Sequence, residues 1–172
     1  MQMTRTSRAI STSAAVLMAI TAFSAAPAFA DGSGSRGDSL LDAQLVGSMP
    51  APASPTIAGI KPGGLPWVNG PSRVKVSEDG QIMVDIMGLV VPSPPFSGSN
   101  PVRFVVATLV CDQVVAGSTL PFLLNPAGKG STSGMISVPR HCDDPVVLIQ
   151  PDANRSAYIA STVGDDEEGE DA

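Results

Sequence analysis

Aromatic residues make up only 4% of the 172-residue chain, with one tryptophan and one tyrosine. A core must therefore be built mainly from Val, Ile, Leu and Met. There is one histidine, His141, and there are two cysteines, Cys111 and Cys142. Structural zinc takes four Cys or His ligands and blue copper takes two His and a Cys, so no metal is expected. Basic residues are outnumbered, 10 to 16. That argues against nucleic-acid binding, which leaves a basic footprint, and against attraction to anionic lipid. No apolar run reaches the roughly 20 residues that a membrane span requires, so no membrane insertion is expected. No window beyond the first thirty residues keeps a helical period, and 17 glycines and 16 prolines interrupt helices. No dinucleotide fingerprint occurs. Lys129 is followed by Gly130 where a phosphate-binding loop needs Ser or Thr, so "GKGS" from Gly128 reads as a flexible loop. "GSTSG", 130–134, places Thr132 where a nucleophile elbow places serine. No cofactor is expected.

What is present begins with an address. Arg5 and Arg8 precede an apolar stretch, 14–23, and Ala28-Phe29-Ala30 forms an A-x-A cleavage site. This pattern predicts a signal peptide over 1–30 and a secreted, extracellular protein. Residues 31–64 are rich in Gly, Ser, Pro and Ala and read as a flexible leader; within it "LLDAQLVG" from Leu40 could form one turn of helix. The leader also holds "RGD", 36–38, a tripeptide that simply suits a Gly/Ser linker. Six of the acids lie in the last eight residues, 165–172. Residues 164–172 therefore read as an acidic disordered tail, and the domain itself is nearly neutral.

Between leader and tail, 65–163, short Val- and Ile-rich runs alternate with Gly, Pro, Asn and Ser. "RVKVS" from Arg73 alternates, and "QIMVDI" from Gln81 puts Ile82, Val84 and Ile86 on one face. "EDG", 78–80, predicts a type I′ hairpin turn between them. "VRFVVATLVC" from Val102 is apolar on both faces, so it predicts a central strand covered on both sides. Further strands are expected near Val114, Thr119, Gly134, Pro145 and Ser156, with Pro121 at an edge or bulge. The expected fold is all-β: an antiparallel β-sandwich of about seven or eight strands, immunoglobulin-like or Greek-key.

In an oxidising compartment two cysteines favour a pair. Cys111 closes a predicted strand and Cys142 sits in a turn, "VPRHCDDPVV", 138–147. A Cys111–Cys142 disulfide is expected; the competing reading is a free Cys142 activated by His141. Neighbouring residues on an extended strand face opposite ways, which weakens that pair. His141, Asp143 and Asp144 are the functional candidates of this stretch. Other carboxylates, Glu78, Asp79, Asp85, Asp112 and Asp152, fall mostly in expected turns. "NRS" from Asn154 matches a glycosylation sequon.

Gly63, Gly64, Pro66 and Trp67 form a GG-x-PW opening. Gly88 ends a strand, Cys111 ends the central strand, and Pro139, Cys142 and Pro145 frame a P-x-x-C-x-x-P turn. Over 63–163 this pattern resembles a loosely defined, uncharacterised group of small secreted bacterial proteins, actinobacterial in type. The resemblance implies a β-sandwich and an extracellular address, and no activity. Three readings of function stay open. The first is a non-catalytic secreted module, with an unknown protein or a cell-surface or matrix component as partner. The second is a small extracellular enzyme using His141 and nearby carboxylates, and the third is a protease inhibitor presenting "VPSPPFSGSN", 91–100. Oligomeric state is not indicated.

Overall fold

A computed structural model describes residues 38–162. The expected signal peptide, the start of the leader and the acidic tail lie outside them. The described residues are all-β, with two antiparallel sheets forming a sandwich.

Sheet A contains, in spatial order, β1 (Ser39–Gln44), β4 (Arg73–Ser77), β5 (Gln81–Ile86) and β9 (Gly130–Met135). Alternation decides which face is buried. Val74 and Val76 lie opposite Val84 and Ile82, and all four are 2% exposed or less. Their neighbours Arg73, Lys75, Met83 and Asp85 face solvent. Sheet B runs β2 (Val46–Gly47), β12 (Ala160–Ser161), β10 (Pro145–Pro151), β6 (Phe104–Cys111) and β7 (Val114–Ser118), with β8 (Phe122–Leu123) also pairing β6. A short parallel pair joins β3 (Lys61–Pro62) and β11 (Ala157–Tyr158).

The inner faces meet in one core that includes Trp67, Ile82, Ile86, Leu89, Val105, Leu109, Val147 and Ile149. With so few rings available, aliphatic side chains do most of the filling. β6 is buried on both faces, as its sequence predicts: inward through Val105, Ala107 and Leu109, outward through Val106, Thr108 and Val110. Over Val110 the outer cover comes from the part of the chain expected to be a flexible leader. Ile57 and Ile60 face each other across a tight turn, exchange two backbone hydrogen bonds of 3.0 and 2.8 Å, and cluster with Val110, Leu148 and Tyr158. The Tyr158 hydroxyl donates to the Pro55 carbonyl at 2.7 Å. The leader assignment is therefore corrected for the described residues. Ser39–Gln44 is a sheet strand, not a helical turn, and the domain extends well upstream of Leu65. The physical reason is that a few apolar side chains suffice where a ready-made apolar face awaits them. Leu45 carries the chain from sheet A to sheet B; there Asn69 accepts from the Gly47 N–H and donates to the Leu45 carbonyl, both at 2.7 Å.

Three local expectations also change. The 78–80 loop does form a hairpin, but only Gly80 has a positive φ (93°), and its N–H donates to the Ser77 carbonyl at 2.9 Å. This is a three-residue loop ending in a left-handed glycine. The two-residue turn with both residues left-handed lies instead at Asp112 (φ 50°) and Gln113 (φ 65°), between β6 and β7. "GKGS" is not wholly a loop, because Gly130 and Ser131 open β9 against Ile86 and Asp85.

Candidate functional site

The candidate site lies at one end of sheet B. β6 ends at Cys111, which pairs in register with Pro145, the first residue of β10. The turn before Pro145 brings Cys142 over the same end, and the two cysteines form a disulfide with their Cα atoms 4.9 Å apart. Neither cysteine is free, so no Cys142 thiolate exists in this state for His141 to activate.

The hairpin after Cys111 is held from a distance. The Gln113 side-chain carbonyl accepts from the Ala58 N–H at 2.8 Å. Ala58 is itself left-handed (φ 50°) and begins the Ile57–Ile60 turn with Gly59. Two turns that each hold non-glycine residues at positive φ thus lock together. Such conformations cost free energy and persist where neighbouring contacts fix them.

Beside the disulfide lies an open concavity of about 460 Å³. Its lining is mostly apolar, Cys111, Val114, Val115, Ala116, Val138 and Pro139, with Asp112, Ser137 and His141 as its polar members. Val114 and Val115 are exposed. His141 is exposed and makes no hydrogen bond or ion pair within the described residues. Asp143 and Asp144 are exposed on the same turn, also without bonded partners, and do not line the concavity. The structure therefore gathers His141 with Asp112 and Ser137. Sequence reasoning placed Asp112 in a turn and did not single out Ser137. The disulfide was the one sequence signal that could have linked these stretches.

A second open concavity, about 690 Å³, lies on the solvent face of sheet A between Arg73, Lys75, Met83, Asp85, Ser131 and Ser133. Asp42 binds Arg73 Nε at 2.8 Å and Lys75 Nζ at 3.0 Å. The hydrogen bond from Lys75 leads in holding the Asp42 carboxyl below the ordinary carboxylate range. The pair of bridges is solvent-exposed, where such contacts contribute little to stability. Among the described residues no group of three or more His, Cys, Asp or Glu is placed to hold a metal ion.

The loop expected to serve an inhibitor closes on itself. Val91 N–H donates to Ser99 and Gly98 N–H to Val91, while Phe96 and Ser97 N–H groups turn back to Ser93. Phe96 packs on the core. An extended, protease-ready segment would present its backbone outward instead.

No protein-family model, curated protein or solved structure matches this chain.

Proposed function

We propose that this chain is a secreted, non-catalytic β-sandwich module that binds a protein or a cell-surface component outside the cell. The observation that carries the reading is the mostly apolar concavity beside the disulfide, with Val114 and Val115 exposed on β7 and three polar residues, Asp112, Ser137 and His141, among its lining. Preformed apolar surface with a few polar groups suits recognition, because little ordering is needed on binding. The disulfide fits an oxidising, extracellular setting, and among the described residues no helix is long and apolar enough to cross a membrane.

One observation favours an enzyme: Asp112, Ser137 and His141 share the concavity. No hydrogen bond links them, and a nucleophile–base–orienter arrangement depends on such links. The module reading therefore stands first.

The test is capture from culture supernatant and cell envelope by the immobilised protein, run beside Val114→Asp and His141→Ala. The module reading expects a specific partner that is lost with Val114→Asp and kept with His141→Ala. Turnover of ester, amide or glycoside substrates that disappears in His141→Ala would overturn it in favour of the enzyme.

A further inference from the structure

We propose that two copies of this chain associate through β9, pairing antiparallel about Ser133 to join their two A sheets into one. The reasoning starts from main-chain hydrogen bonds. Successive residues of an antiparallel strand turn their N–H and C=O groups alternately to one neighbour and the other. The Ile136 N–H donates to the Gly80 carbonyl at 2.9 Å. In the β5–β9 register, Gly134, Thr132 and Gly130 therefore also direct their groups toward β5, opposite Ile82, Val84 and Ile86. Ser131, Ser133 and Met135 direct theirs away, to the outer edge. No described residue pairs with that edge.

The other long edges are blunted in ways that prevent strand addition. β1 carries a register break between Ser39 and Leu41, and Asp42 in its centre is tied to Arg73 and Lys75. β7 is broken by a bulge opposite Leu109 and Val110. β2 has two residues. β9 has six, "GSTSGM", with no bulge, proline or charge.

The edge is also self-complementary. The three outward residues are symmetric about Ser133. A two-fold axis there sets Ser133 of one copy against Ser133 of the other, and Ser131 against Met135 twice. All three outward N–H groups and all three outward carbonyls of each copy then find partners. No charged side chain meets another across the new ladder. Met135, an apolar side chain 69% exposed, gains a neighbour. A six-residue edge spans only about 20 Å, less than a standard protein interface provides, so the association is reversible and concentration-dependent.

Sedimentation equilibrium on the purified, disulfide-intact protein tests this. The expected result is a mass rising from one chain toward two as concentration approaches millimolar; a one-chain mass throughout overturns the proposal. Ser133→Glu and Ser133→Lys each place like charges on the axis and are expected to lose the dimer. An equimolar mixture of the two variants is expected to restore it as a one-to-one pair. Dimerisation that survives either substitution alone, or a mixture that stays monomeric, overturns the Ser133 axis. Amide exchange on the unaltered chain is independent of how the variants fold. Raising concentration should slow exchange at Ser131, Ser133 and Met135 and leave Thr132 and Gly134 unchanged; uniform protection, or none, overturns the pairing.

Discussion

Tyr158 ties the outer layer to sheet B, and its substitution tests whether that layer is a structural part of the fold. The residue is fully buried, packed with Ile57, Ile60, Val110 and Leu148, and hydrogen-bonded to the Pro55 carbonyl. Tyr158→Phe removes only the hydroxyl. Pro55 is exposed, so water can take over its carbonyl, and the cost should be that of one ordinary hydrogen bond, about 1 kcal/mol. Tyr158→Ala removes the ring as well and leaves a cavity between the outer turn and the sheet. By analogy with buried aromatic truncations the cost should be about 4 kcal/mol. Urea unfolding can be followed by the fluorescence of Trp67, the only tryptophan, which is 4% exposed in the main core. The ladder of about 1 and about 4 kcal/mol, at unchanged denaturant slope, is the expected result. If Tyr158→Ala costs under about 1 kcal/mol, the turn at Ile57 and Ile60 does not seal sheet B and the cover described above is refuted.

Burial raises the Tyr158 phenol above its ordinary pKa, against a smaller lowering by the Ser54 hydroxyl. The folded state thus favours the neutral phenol, so this stabilisation is intact below pH of about 10 and fades as pH rises through the folded pKa. With one tyrosine in the chain, ultraviolet titration should show a midpoint above that of the urea-unfolded protein. Replacing both Cys111 and Cys142 by alanine should cost about 3.5–4 kcal/mol in urea unfolding, from the loop they close. Gly128 is left-handed (φ 69°), and a Cβ there would meet the Leu89 oxygen at 2.3 Å. Gly128→Ala should therefore lose more than about 2 kcal/mol by the same assay, while Gly64→Ala, where a Cβ meets nothing within 4 Å, should stay within about 0.5 kcal/mol.

How much of this was legible depends on how local each signal is. β4 and β5 carry their burial in plain alternation, and the two-sided apolar character of β6 correctly required a cover on each face. What provides the outer cover could not be read. Ile57 and Ile60 are two apolar residues in a proline-rich stretch, and they acquire meaning only against Tyr158, a residue about a hundred positions away. A turn near Asp112 was expected, but its left-handed pair was not, because Asp112-Gln113 lacks the Gly that usually marks such a pair. Four of the six residues of β9 are Gly or Ser, with little strand signal of their own beside Thr132, and pairing with β5 imposes the conformation. At the candidate site the disulfide could be expected from two cysteines, but the company it gives His141 is set by how three separate stretches fold back on one end of the sheet.

The distance that separates Tyr158 from Pro55 along the chain, 103 residues, also sets a timetable. Polypeptides emerge at about 5–20 residues per second, so the hydroxyl reaches its carbonyl roughly 5–20 s after Pro55 has appeared. Val110, made about halfway through that interval, spends the rest of it without Leu148 and Tyr158, the two later members of its outer cluster. The nascent chain therefore passes through an adhesive stage that ends only with its last strands, and anything that accompanies it during synthesis has one obvious surface to shield.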